Sequence, residues 1–180
     1  MNAQVDEKLM VIFGRRSIRV YAPGEVDEAV VQKLLAAAMA APSASGKSPW
    51  HFVVVRNRHT LSRMSGVLPQ GQPLATAPLG IVVCGDLEVA HDNQLSYLLQ
   101  DCSAAIENLL LCAHILELGA CWLAVHPRPE RIKGISEIFS LPASVIPVAC
   151  ISLGYPGESK EPHAVYNPKC VHSETWSGHG

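Results

Sequence analysis

The stretch Leu95 to Leu118 restricts this chain more than any other. Leu98, Cys102, Ile106, Leu109, Ala113 and Leu116 recur at helical spacing and mark one face. Leu110, Leu111, Cys112 and Ile115 then make the C-terminal half apolar on nearly every side. A helix that is apolar all round must be covered all round. With 180 residues the chain suits one domain, so a second subunit is expected to supply part of the cover. Composition points the same way. The chain is 48% hydrophobic, 17% charged and only 6% aromatic, and its mean hydropathy is +0.18. Ala, Val, Leu and Ile must therefore build the core, and surplus apolar surface favours self-association. Gly119 is the predicted residue just past the helix end.

Other elements read off the same periodicities. Val5 to Phe13 is a short amphipathic helix closing at Gly14. Asp27 caps a helix reaching Ala40, with Val31, Leu34, Leu35, Ala38 and Met39 facing the core. Pro42 stops it. Strands are predicted at 51–55, 79–84, 121–125 and 148–153, a helical turn at 57–64, and a helix at 129–139 with Ile132, Ile135, Ile138 and Phe139 inward. The Pro-, Gly- and Gln-rich stretch 67–78 reads as a loop, and the polar segment after Pro156 as a tail.

Several function classes drop out. The net charge of −2 gives no overall basic field for nucleic acid or an anionic membrane. The polar, acidic start (1–8) does not resemble a signal peptide, and no apolar run approaches a membrane span. The six cysteines include no C-x-x-C pair and mostly sit in apolar runs, which fits buried thiols in a reducing cytoplasm rather than disulfides or a metal site.

Two segments carry chemistry. Arg15-Arg16-Ser17-Ile18-Arg19 places three of the chain's 14 basic residues in one short run. It is either a solvated patch or an anion cradle, since guanidinium forks match phosphate oxygens and a hydroxyl adds a donor. Gly46-Lys47-Ser48 looks like the end of a nucleotide-binding P-loop. The motif fails, because Ala41 stands where a glycine is needed and the helix precedes rather than follows the loop. What remains is a small-residue turn against which a flat ligand could lie.

Arg15-Arg16-Ser17-Ile18-Arg19, followed by Ala-Ala-Pro-Ser-Ala-Ser-Gly-Lys-Ser-Pro-Trp-His-Phe (40–52), resembles the nitroreductase family of FMN-dependent oxidoreductases. Ala77-Pro78-Leu79-Gly80, Gln100-Asp101-Cys102-Ser103, Leu118-Gly119-Ala120-Cys121-Trp122 and Ser152-Leu153-Gly154-Tyr155-Pro156 extend the likeness in collinear order. The ending Val171-His172-Ser173-Glu174-Thr175-Trp176 looks like that of the short bacterial members. The resemblance implies an α+β fold, a mixed β-sheet flanked by helices, and an intertwined homodimer with FMN at the interface. Residues 1–156 would form the FMN-binding domain, and 157–180 an extension packing on the partner.

By the same resemblance, Arg15, Arg16, Ser17 and Arg19 bind the FMN phosphate and ring. Pro42, Ser43, Ala44 and Ser45 lie against the flavin from the other subunit. Leu123, Ala124 and Val125 line the ring, and Lys160 reaches the phosphate. The family loop usually carries Asn and Gln where this chain has Gly46 and Ser48, so the acceptor is left open. The implied activity is ping-pong transfer from NAD(P)H through FMN to a nitroaromatic, quinone or similar acceptor, with no proton-transfer residue required. The rivals are an FMN-storing or sensing protein, which would not turn over, and a branch acting on flavin itself or on reductive dehalogenation.

Overall fold

The computed structural model describes residues 7–176. Val5 and Asp6 of the predicted first helix, and 177–180 of the extension, lie outside them. Six α-helices and four strands make up the described regular structure: α1 (Met10–Gly14), α2 (Glu28–Met39), β1 (Trp50–Val55), α3 (Arg58–Val67), α4 (Gln72–Thr76), β2 (Leu79–Asp86), α5 (Leu95–Ile115), β3 (Gly119–Ala124), α6 (Pro129–Phe139) and β4 (Val145–Gly154). Short 3-10 turns fill some connections, among them Ala44–Gly46 and Pro168–Cys170.

The sheet order is β1-β2-β4-β3, and all three ladders are antiparallel. The expected α+β class holds, but the parallel component of the mixed sheet shrinks to one bridge. Ser17 pairs in parallel with Ala120 on the otherwise free edge of β3. That strip is too short to register as a strand, yet it carries the basic segment onto the sheet.

Every residue of β2 from Leu79 to Gly85 is buried. A strand buried on both faces reads as a continuous apolar run rather than an alternation. The alternation is instead between two cores. Ile81 and Val83 pack with α2 and α5, alongside Leu34, Leu98, Ile106 and Leu109. Val82 and Cys84 pack on the other face with Leu61, Met64, Leu74 and Ile135. Each fully buried Leu or Ile contributes about 1.5–3 kcal/mol. Gly85 lets α5 approach: a Cβ there would lie 2.4 Å from Leu98 Cγ.

The structure changes four sequence expectations. First, α5 is covered mostly by its own chain. Leu98, Cys102, Ile106, Leu109, Leu110 and Ala113 are buried, and Ile115, 60% exposed, is the chief apolar residue left bare on it. Second, Gly119 does not end α5; it opens β3. Glu117 takes the left-handed conformation past the helix end at φ 59°. The Leu118 amide donates to Ala113 O (2.8 Å) and the Glu117 amide to His114 O (3.1 Å), the two bonds of a Schellman closure. Third, the 67–78 loop contains α4, whose Pro73 and Leu74 are buried; five residues are too few for periodicity to announce. Met39, expected inward, is 53% exposed at the end of α2.

Candidate functional site

The basic segment leaves α1 and runs extended along β3. The Ile18 amide donates to Ala120 O (3.0 Å), and the Ala22 amide to Tyr155 O (2.9 Å). Tyr21 fixes the strip from beneath. Its hydroxyl lies 2.7 Å from Ser152 Oγ and donates to Ile18 O at 2.9 Å. Burial pushes the phenol well above its ordinary pKa, so it stays a neutral anchor. Gly14 makes room for the turn: a Cβ there would sit 2.8 Å from His114 Nε2.

The tail returns to the same place. Glu158 Oε1 accepts from the Arg19 amide (2.6 Å) and the Val20 amide (3.3 Å). Lys160 Nζ donates to Ser17 O (2.6 Å) and stands 3.1 Å from Glu158 Oε1. The Arg16 guanidinium donates to Glu161 O. The Arg19 amide, foremost, together with Lys160 and the Val20 amide, holds the Glu158 carboxyl below the usual range, against the opposing effect of burial.

Arg15, Arg16 and Lys160 therefore converge on one cavity of about 280 Å³, together with Gly14, His114 and Glu117. Arg15 Nε lies 3.1 Å from Glu107 Oε1, but the N–H is not aligned with the carboxylate and has no hydrogen-bond partner. A buried guanidinium donor with unmet capacity, beside a lysine and a second arginine, suits a phosphate. The residues present fit the phosphate end of FMN. The cavity falls just below the roughly 300–1,000 Å³ usual for small-molecule sites.

Arg19 points elsewhere. It lines a shallow hollow with Gln70, Gln72 and Pro73. Gln70 also lines a third space of about 280 Å³, with Leu68, Trp122, Leu123, Ala124 and Arg131. Thus Leu123 and Ala124 reach a cleft next to Arg19, while Val125 is fully buried in the second core and its amide donates to Val148 O. Gln70 and Arg131 had no sequence signal. One lies in a stretch read as loop, and the other is an ordinary charged residue in the first turn of α6.

The loop Pro42–Ser45 lines none of these spaces. It is built deliberately, however. Ser45, Gly46 and Ser48 have φ of 51°, 67° and 48°, a region unfavourable to L residues. Asp101 Oδ1 accepts from the Ala44 amide (2.9 Å), and Ser43 Oγ from the Ser48 amide (2.8 Å). Gly46 suits its position by conformation rather than space, since a Cβ there would meet nothing within 4 Å. His51, Lys47 and His126 line none of the three spaces either.

Burial pushes the Cys84 and Cys102 thiols up to about 12, and the described cysteines are all free. Among the described residues, no group of three or more His, Cys, Asp or Glu could hold a metal ion. No described helix is long and apolar enough to cross a membrane.

Comparison with known proteins identifies the family and the fold. The family model described as "Nitroreductase family" matches residues 12–73 and 65–155. An Archaeoglobus fulgidus protein named "Putative NADH dehydrogenase/NAD(P)H nitroreductase" is 42% identical over 175 residues, spanning 96% of this chain and 100% of that protein. The solved Clostridium difficile "FMN-dependent Nitroreductase" superposes with a TM-score of 0.86 at 32% identity, covering 93% of this chain and 99% of the other. A Desulfovibrio desulfuricans "putative nitroreductase in complex with fmn" gives a TM-score of 0.81 at 28% identity, covering 96% and 99%.

Proposed function

This chain belongs to the nitroreductase family, and on that premise we propose that it is an FMN-dependent oxidoreductase. It would take reducing equivalents from NADH or NADPH and pass them to a small acceptor such as a nitroaromatic or quinone. The observation that carries this reading is the convergence of Arg15, Arg16 and Lys160 on one cavity, from opposite ends of the sequence. FMN, when bound, supplies the redox chemistry.

The chain's own groups supply binding, orientation and electrostatics. Arg15, Arg16 and Lys160 hold the phosphate, with Ser17 adding its hydroxyl. Arg19 stabilises negative charge on the ring's pyrimidine side, in a hollow that it shares with Gln70. Leu123 and Ala124 wall the ring cleft, and Val125 supports them from the core. Pro42, Ser43, Ala44 and Ser45 close the cleft from the partner of a homodimer.

A homodimer also accounts for apolar side chains left bare. Ile12, Met39 and Ile115 are each more than half exposed, and in the tail Val165, Tyr166 and Trp176 are more so. On this reading 1–156 is the catalytic domain, and 157–180 packs on the other subunit. The buried free thiols suit a reducing compartment such as the cytoplasm.

Purified protein should be yellow and should bleach anaerobically with NADH or NADPH. Yellow protein that bleaches with neither donor would make it an FMN holder rather than an enzyme. Colourless protein that takes up no added FMN would overturn the reading altogether.

A further inference from the structure

The cavity assigned to the phosphate has no surplus positive charge of its own. Arg15, Arg16 and Lys160 line it together with Glu117 and Glu158, and Glu107 stands 3.1 Å from Arg15 Nε. Three cations thus face three carboxylates. A phosphate monoester brings about −1.5 to −2 charges at pH 7, so its arrival leaves this corner of the protein with excess negative charge. One lining group can offset that. His114, in the last turn of α5, is half-buried against Gly14, where a Cβ would sit 2.8 Å from its Nε2. Among the described residues its imidazole makes no hydrogen bond or ion pair. Both ring nitrogens donate once the ring is protonated, and histidine is the side chain that gains a proton between about pH 5 and 8.

We propose that His114 is a further ligand of the FMN phosphate and takes up a proton from solvent when FMN binds. The inference rests on the FMN reading and deepens it by adding a residue and a proton to the phosphate site. The loaded cavity gains one positive charge to set against the phosphate. Glu117 on the same helix, Glu158 in the tail and the C-terminal end of α5 favour the protonated ring. Arg15, Arg16 and Lys160 oppose it, and the bound phosphate tips the balance. Helix α1 adds no charge there, since Met10–Gly14 contains none. Lys33 of α2 stands beside Cys112 instead, about 200° round the helix from His114. His114 holds the cofactor and takes no part in electron transfer.

Titrating flavin-free protein with FMN tests this, with fluorescence quenching as the readout. Above pH 7 the phosphate is almost wholly dianionic, its second pKa being about 6, so its own ionisation adds little. Between pH 7 and 9 the Kd for FMN should rise about 3- to 20-fold, as the charge-assisted bond is lost with the proton. In His114→Gln the Kd should be higher at pH 7 and stay within about twofold over that range. A slope shared by parent and variant overturns the proposal. Titration calorimetry at pH 7.5, in buffers of different ionisation enthalpy, counts the proton directly. The parent should take up about 0.4–0.8 of a proton per FMN and His114→Gln almost none; equal counts would also overturn it. Should that variant fail to fold, riboflavin, which lacks the phosphate, serves as the control on the unaltered protein. Its Kd should stay nearly constant from pH 7 to 9 while that for FMN rises, and parallel curves refute the inference. Protein that binds no FMN at any pH would sink the FMN reading and this inference together, whereas FMN bound with a flat pH profile sinks this inference alone.

Discussion

The two 280 Å³ cavities balance their charge in opposite ways. Around Lys160 each cation has an internal polar group beside it: Glu158 and Ser17 O for Lys160, Glu161 O for Arg16, and Glu107 near Arg15, whose Nε still lacks a hydrogen-bond partner. Around Arg131, among the described residues, there is one carbonyl partner and no carboxylate within ion-pair distance. The first arrangement holds its cations in place before any ligand arrives, which suits a resident group retained through many turnovers. The second leaves the Arg131 guanidinium without a carboxylate partner among the described residues. Preorganisation costs field strength, because internal carboxylates compete with the bound anion.

The sharpest way to break this comparison is to strip the first cavity. Arg15→Ala combined with Arg16→Ala should raise the Kd for FMN about 100-fold or more, at roughly 10- to 100-fold for each charged contact. Flavin fluorescence quenching reads it; unchanged affinity would move the phosphate site elsewhere. Next in size is the anchor beneath the strip. Tyr21→Phe removes the partner of fully buried Ser152 and should cost about 1–3 kcal/mol in denaturant unfolding. A loss below a few tenths would mean that the strip is held by its backbone bonds alone.

Glu158 tests whether the first cavity is preorganised by its own acid. Its folded pKa lies below the usual value of 4.5. The stability it contributes is therefore fully present above pH 4.5 and disappears as pH falls through the lower folded value. Glu158→Gln should melt lower than the parent at pH 7, and the gap should narrow as the pH drops below 4. A gap independent of pH would refute the ionic role. The smallest effect is expected at Glu117, which lines the same cavity in a left-handed conformation. Glu117→Gly should raise stability by about 0.5 kcal/mol, since glycine adopts that conformation freely but loses more chain entropy. It should also tighten FMN binding severalfold by removing a competing acid.

Much of the scaffold could be read without coordinates. Helix α6 has the predicted bounds of 129–139, and the other long elements shift by only a few residues at their ends. Strongly periodic segments announce themselves because one face must be buried. Misreadings fell where local chemistry has more than one solution. Gly119 looked like a helix terminator, but Glu117 accepted the strained position because the chain must turn directly into β3. Helix α5 looked under-covered because nothing in its own sequence shows that α2, α1 and the sheet all reach it.

The site divides in the same way. The cluster 15–19 stands out in the sequence by charge density alone, and the small-residue loop at 42–48 by its composition. Their placement could not be read. Strict alternation along an extended strip would put Arg15 and Arg19 on one side, yet Arg15 and Arg16 line one cavity while Arg19 lines another beside Gln70. Arg131 is one charged residue among many until α6 sets it against Ala124. Sequence by itself determined which faces are apolar, where the helices and strands lie, and which residue types could hold an anion, because those follow from side-chain chemistry and local spacing. Only the tertiary structure decided which cations are already matched and which are left open, because ion pairing depends on distances between segments far apart in the chain.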